Sequence, residues 1–364
     1  MARKVFVAAT GQNCGKTTTS LSLMYMARKK YQRVGFIKPL GPKPIVHNDQ
    51  VVDKDAALMA EVFGLEDRLH LMSPVVLMPG DTQKVLDQEL RVPDIEKKMF
   101  DAVEELDRQN DFLIIEGAGH TGVGSVIGLS NAYIAKMTKA QVLMVSGGGI
   151  GNVIDDIHLN LALFNQESVA VKAVLANKIR PDKREKTLKY LSLAFRDDPF
   201  QVIGGFNYQP ILANPTLRRI SQVLDLELMG NPEQEGQIVH HVQIGAASTQ
   251  RVAELLQEST LVIVTSSRDE LLVTLANMYQ IPEYQYKLAG LIIPGVAPVF
   301  SITQKILDRS GIPYMRTSRT TAEVFVKVNE DVSKLSARDT QKIELIIQLA
   351  DKRFDFDAID ALFG

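Results

Sequence analysis

The chain of 364 residues is 45% hydrophobic and 23% charged, ordinary globular usage that excludes general disorder and, at roughly 150 residues per domain, points to two domains. Its 41 Lys and Arg nearly balance 43 Asp and Glu for a net charge of -2, which argues against a dedicated nucleic-acid or anionic-membrane binder. The single cysteine excludes an internal disulfide, and no apolar run approaches the ~20 residues of a membrane span, so a soluble, cytoplasmic protein is expected.

Short apolar runs alternate with amphipathic stretches from the start. Residues 5–9 read as a buried strand and 16–28 as a helix with Leu21, Leu23 and Met24 inward. A strand over 33–37, helices over 55–63 and 95–106, and a strand over 111–115 follow. Strands at 141–145, 171–175 and 201–203 continue the series, with helices near 153–164 and 184–195 between them. Continuous Val, Ile and Leu strands separated by helices predict a doubly wound, mainly parallel α/β sheet covered on both faces. The polar stretch 230–236, rich in turn formers and without an apolar residue, reads as a linker between domains at 1–229 and 237–364. Beyond it strands over 239–244, 261–264 and 288–293 alternate with helices over 251–257, 270–278 and 302–308, and 337–354 reads as a closing amphipathic helix.

The most specific motif is Thr10-Gly11-Gln12-Asn13-Cys14-Gly15-Lys16-Thr17, between the first strand and the first helix. Phosphates need inward backbone N–H groups, a helix N-terminus, an ammonium for the β and γ oxygens and a hydroxyl for Mg²⁺. Gly15, Lys16 and Thr17 are suited to these roles, although the strict pattern wants glycine where Thr10 stands. Glu116 ends an apolar strand, where a carboxylate can hold the metal directly or through water. Asp55 opens a helix, and on its own reads as a first-turn acid favoured by the helix dipole. The run Gly117-Ala118-Gly119-His120-Thr121-Gly122 matches a dinucleotide fingerprint but continues as a loop, so it reads as a flexible loop near the γ-phosphate. His120 either touches that phosphate or a substrate carboxylate, or bonds to the backbone of its own loop. Arg268 and Asp269 suit an effector or a helix start equally well.

On these residues the first ~230 positions resemble the dethiobiotin synthetase and cobyrinate a,c-diamide synthase group of P-loop enzymes. The resemblance implies bound ATP and Mg²⁺, with Gly11, Gln12, Asn13, Cys14, Gly15, Lys16, Thr17 and Thr18 lining the nucleotide. It implies that Lys38 orients a substrate carboxylate and phosphate beside Lys16, and that Thr17, Asp55 and Glu116 associate with the metal. It also implies that Asn177 reads the adenine edge. Residues from about 237 to 322 resemble the DRTGG domain, with Ser267-Arg268-Asp269 and Pro294-Gly295-Val296 as degenerate forms of its signature. The pair of domains resembles the N-terminal, non-catalytic half of long bacterial phosphotransacetylases, so no acetyl transfer by this chain is expected. Cys14 lies inside the phosphate loop and cannot be a glutaminase nucleophile.

Two departures bear on function. Pro42 and Pro44 stiffen the stretch where the synthetases grip their diamino acid, and His120 stands where they carry a glycine. The expectation is therefore a Mg-ATP-binding protein with a regulatory or scaffolding role linked to acetyl-phosphate and acetyl-CoA metabolism. A small anionic metabolite or effector and self-association into a homo-oligomer are its expected partners, with no nucleic acid or membrane. The alternative is an ATP-dependent ligase that activates a carboxylate or carbamate.

Overall fold

The computed structural model describes residues 1–330 and 335–364. It divides into two compact units, Met1–Tyr208 with Ile343–Gly364, and Gln209–Lys342.

The first unit is built on six strands: β1 (Arg3–Ala9), β2 (Val34–Ile37), β3 (Phe112–Glu116), β4 (Gln141–Gly147), β5 (Val171–Asn177) and β6 (Gln201–Gly204). Their order is β6-β5-β4-β1-β3-β2 and every neighbouring pair is parallel. Alternate side chains of the strands (Phe6, Ala8, Leu113, Ile115, Val142, Met144) join one core with Met99, Val103 and Leu106 of helix Val92–Gln109 and with Ile157 and Phe164 of helix Ile150–Gln166. The intervening Val5, Val7 and Ile114 are equally inaccessible, so both faces are covered, as the unbroken apolar strands require. The C-terminal helix Phe356–Leu362 belongs to this unit because Asp360 binds Arg3 at 2.6 Å and accepts from Tyr31, while Phe356 packs on Phe112 at 5.8 Å.

The second unit has strands β7 (His241–Ile244), β8 (Thr260–Ile263), β9 (Leu288–Pro294) and β10 (Tyr314–Thr317), paired in that order and all parallel. One face packs Val262, Leu291 and Ile293 on Leu271, Leu272 and Leu275 of helix Asp269–Tyr279. The other packs Leu261, Ile263, Ile292 and Met315 on Leu217, Ile220 and Leu224 of helix Leu217–Leu224 and on Val324 and Val328 of helix Thr321–Glu330. Helix Leu217–Leu224 thus lies in the second core, whereas its position before 230 suggests the first domain. Residues 343–364 join the first unit, whereas the sequence reading places them in the second. In each case an amphipathic helix follows the apolar face that accepts it, not the nearest turn-rich stretch. Among the described residues no helix is long and apolar enough to cross a membrane.

Candidate functional site

The site is assembled at the C-terminal ends of β1, β2 and β3. After β1, Thr10 is tied to β4: its N–H donates to the Val145 carbonyl at 3.0 Å, and its hydroxyl meets that of Ser146 at 3.0 Å. Asn13 and Gly15 then take positive φ, 60° and 99°, which turns the loop into helix α1 (Lys16–Lys30). A Cβ at Gly15 would stand 2.3 Å from Asn177 Nδ2, so only glycine fits there. Gln12 and Asn13 are exposed and Gly11, Cys14, Lys16, Thr17 and Thr18 half-buried, with Thr17 in the first turn of α1. The Lys16 ammonium donates to the Gly119 carbonyl at 2.5 Å. Burial, reinforced by the charge of Lys38, lowers its pKa to about 8.

Parallel register places the next two charges. Ile37 of β2 pairs with Ile115 of β3, so Lys38 emerges beside Glu116. The Lys38 ammonium lies 2.8 Å from Glu116 Oε1, 2.9 Å from the Gly117 carbonyl and 3.3 Å from Asp55 Oδ2. Asp55 arrives by a different route. An antiparallel hairpin pairs Pro44 with Asp53, and Asp53 caps helix α2 (Lys54–Phe63) by accepting the Asp55 N–H at 2.8 Å. Asp53 also accepts the Lys43 N–H at 3.1 Å, and the Lys43 ammonium reaches Asp55 Oδ2 at 2.8 Å. Lys38 is 1% exposed, Glu116 and Asp53 are 0%, and Asp55 is 6%. Burial alone would discharge Lys38, yet Glu116, Asp55 and Asp53 hold its pKa above the ordinary value. Burial likewise opposes ionisation of Asp55, and Lys38 and Lys43 more than offset it, holding the pKa low. Asp53 is pushed up to about 6 by burial and by the neighbouring Asp55 charge. The second oxygen of Glu116, Oε2, is buried and has no hydrogen-bond partner among the described residues.

Asn177, at the end of β5, is 3% exposed. Its Nδ2 donates to the Cys14 carbonyl at 2.9 Å and its Oδ1 accepts the Phe206 N–H at 3.0 Å. One amide hydrogen thus braces the phosphate loop, while the amide oxygen holds the segment after β6. His120 is exposed, and its Nδ1 accepts the Gly122 N–H at 3.2 Å, a loop-internal bond. Two asparagines that the sequence reading did not single out for the site hold its loops. Asn131 accepts the Ala118 N–H at 3.0 Å and donates to the Ala118 and His120 carbonyls, both at 2.6 Å. Asn160 donates to the Thr10 carbonyl at 3.0 Å and accepts the Thr121 N–H at 3.1 Å, joining the loops after β1 and β3. The structure brings the buried Lys38, Asp53, Asp55 and Glu116 and the half-exposed Lys43 into one charge cluster whose field reaches Lys16. In the second unit Arg268 donates to the Gly245 and Ala247 carbonyls at 3.0 and 3.1 Å and pairs with Glu270.

This arrangement of strand, phosphate loop and helix, with a carboxylate on the adjacent strand, matches a known family. A family model described as an AAA domain (AAA_26) covers residues 3–231. The chain belongs to that family. A second model, the DRTGG domain, covers residues 219–330, so the AAA-family P-loop domain is followed by a DRTGG domain. The phosphate acetyltransferase of Pseudomonas putida is 25% identical over 96% of this chain but only 50% of its own length. The chain thus spans about half the length of the phosphate acetyltransferases it matches. The ATP-dependent dethiobiotin synthetase of Pseudoalteromonas translucida is 27% identical over 56% of this chain and 88% of its own. A cobyric acid synthase from a Jannaschia species is 28% identical over 50% of this chain and 42% of its own.

Proposed function

We propose that the P-loop domain binds Mg-ATP and that the chain serves a regulatory or scaffolding role, with the DRTGG domain receiving an effector or a second copy of the chain. The observation that carries the reading is the buried carboxylate Glu116, whose Oε2 has no hydrogen-bond partner among the described residues, on the strand next to a glycine loop and Lys16. Thr17, Asp55 and Glu116 offer hard oxygen ligands of the kind magnesium takes, and the orphaned carboxylate oxygen fits such an ion. These residues would hold the metal, which when bound neutralises phosphate charge. Lys16 exchanges the Gly119 carbonyl for phosphate oxygens, and the N-terminus of α1 supplies N–H donors. Asn177, besides bracing the loop, faces adenine with its remaining amide valence, so ATP is preferred over GTP. The phosphate acetyltransferase relatives support a link to acetyl-phosphate metabolism.

A binding role is favoured over ligation by the stretch 41–44, where the related synthetases hold their acceptor. Pro42 and Pro44 have no N–H, and the Lys43 N–H is already used by Asp53. A ligase needs its second substrate positioned against the γ-phosphate, since positioning and charge stabilisation supply most of its rate.

The test is thermal unfolding with Mg-ATP. At a hundred times its dissociation constant a ligand adds about 2.7 kcal/mol, and Lys16→Ala is expected to abolish that gain. No shift with any nucleotide under saturating Mg²⁺ overturns the reading. ADP release is expected to be slow and indifferent to diaminopelargonate with bicarbonate. Strong stimulation by that pair or another carboxylate, lost in both Lys16→Ala and Lys38→Ala, makes the chain a ligase instead.

A further inference from the structure

We propose that Lys38 is an internal cation that occupies the Asp55–Glu116 carboxylate pair in the nucleotide-free protein and is displaced when a divalent ion enters with the nucleotide. The inference rests on the reading that these carboxylates hold magnesium, and it goes beyond it by assigning their occupant at rest and the order of entry.

The geometry resembles a small cation site. Three oxygens, from Glu116, Asp55 and the Gly117 backbone, surround the ammonium at 2.8, 3.3 and 2.9 Å. An ammonium has three donors and no acceptor; two are used in hydrogen bonds to Glu116 and Gly117, and Asp55 completes the shell as an ion pair. Two carboxylates this deeply buried need a cation between them, because an uncompensated buried charge is costly. A divalent ion on the same carboxylates cannot coexist with the ammonium where it stands, since like charges a few ångströms apart in a water-poor site repel strongly. One of the two must leave. Lys38 can, because its charge rides on a flexible four-carbon stem. In this structure Asp55 Oδ2 is also shared with Lys43 at 2.8 Å, an ammonium that, unlike Lys38, reaches solvent. The partnerless Glu116 Oε2 gives an incoming ion a first contact before the ammonium moves.

The departing ammonium needs a new partner, and a nucleotide phosphate is an anion of the right kind. Magnesium alone brings no such partner and meets a site already neutralised. Metal and nucleotide therefore enter together, and their entry turns Lys38 from an internal counter-ion into a group that faces phosphate.

The experiment compares wild type with Lys38→Met, using Mg²⁺ alone, Mg²⁺ with a non-hydrolysable ATP analogue, and the analogue with EDTA. Wild type is expected to show no change in melting temperature with Mg²⁺ alone and a rise of several degrees with Mg²⁺ plus analogue. Lys38→Met is expected to start lower and to regain several degrees with Mg²⁺ alone. If wild type binds the Mg²⁺ complex while folded Lys38→Met gains nothing from Mg²⁺, the lysine is a fixed strut and the proposal is overturned on its own. If wild type responds to no combination, the nucleotide reading falls and takes this proposal with it.

Should the variant not fold, the side-chain ¹⁵N resonance of Lys38 in wild type decides. It is expected to shift with Mg²⁺ plus analogue and to stay in place with Mg²⁺ alone or with analogue in EDTA. A resonance that never moves, or that moves without metal, overturns the proposal.

Discussion

Both units are parallel sheets with loops at the C-terminal ends of their strands, yet they use cations there in opposite ways. In the first, Lys38 and Lys43 are held by carboxylates, Lys38 almost wholly withdrawn from water and Lys43 half-exposed at the edge of the cluster. In the second, although Arg268 also pairs with Glu270, arginines donate chiefly to neutral backbone carbonyls. Arg316 reaches those of Ile293, Thr317 and Ala297 at 2.6, 2.8 and 2.5 Å, and Arg268 those of Gly245 and Ala247. A guanidinium that ties loop carbonyls is a structural clip, replaceable only by unravelling the loop. An ammonium between carboxylates can be exchanged for another cation with the backbone intact. The cation exchange proposed for the first unit rests on this difference.

The largest test of that contrast is stability. Glu116→Ala removes the closest partner of a buried ammonium, and truncating one side of a buried pair costs about 3–5 kcal/mol. Arg316→Ala removes a partly exposed cation and leaves only neutral carbonyls behind, with no buried uncompensated charge, so a smaller penalty is expected. Urea unfolding of the two variants measures both. A penalty for Arg316→Ala as large as that for Glu116→Ala would break the contrast.

A smaller effect separates the units by function. Gly15 and Gly295 both adopt positive φ, 99° and 123°, and both lie close to a side chain. A Cβ would stand 2.3 Å from Asn177 Nδ2 at the first and 2.8 Å from Ser266 Oγ at the second. Forcing an L-residue into such a conformation costs roughly 1–2 kcal/mol in either unit. Gly15→Ala is expected also to remove the stabilisation by Mg-ATP, whereas Gly295→Ala leaves that response unchanged. Melting temperatures with and without nucleotide check both. Loss of the nucleotide response in Gly295→Ala would mean that the DRTGG domain takes part in binding.

Much of the first unit could be read from its residues, for physical reasons. Strands buried on both faces must be continuously apolar, so the series from 5–9 to 201–203 stood out. The phosphate loop was legible because backbone geometry dictates its glycine and chemistry its lysine. The placement of Lys38 was not legible. Its inward position depends on the parallel register of β2 with β3, and Asp55 meets it only through the hairpin at 44–53. Asn131 and Asn160 were missed because a buried amide bracing a distant loop leaves no local pattern. Strand β10 and helices Leu217–Leu224 and Thr321–Glu330 were missed for a related reason. Each is short, and its apolar side is defined only by the elements it packs against.

The finest test of the contrast is alkaline pH, where the two units are expected to respond with opposite sign. In the first, burial and the charge of Lys38 hold Lys16 at about 8, below its ordinary value of 10.5. Between those values the unfolded chain keeps a proton that the native state has released, so this group's contribution to stability grows as pH rises from about 8 to 10.5. In the second, burial pushes the Tyr314 hydroxyl from 10.0 up to about 12, aided by the bond it donates to Asp308 at 2.7 Å. There the native state keeps a proton that the unfolded chain has lost. The contribution is complete below pH 10 and disappears as pH climbs through about 12. Melting temperatures of wild type, Lys16→Met and Tyr314→Phe across pH 7 to 12 isolate each group by difference. The gap between wild type and Lys16→Met is expected to move in favour of wild type from pH 8 to 10.5. The gap to Tyr314→Phe is expected to hold to pH 10 and then move against wild type. A Lys16→Met gap that stays flat across its window would mean that the unliganded loop leaves the ammonium in water, and the first unit would lose the low-dielectric setting on which its cation chemistry depends.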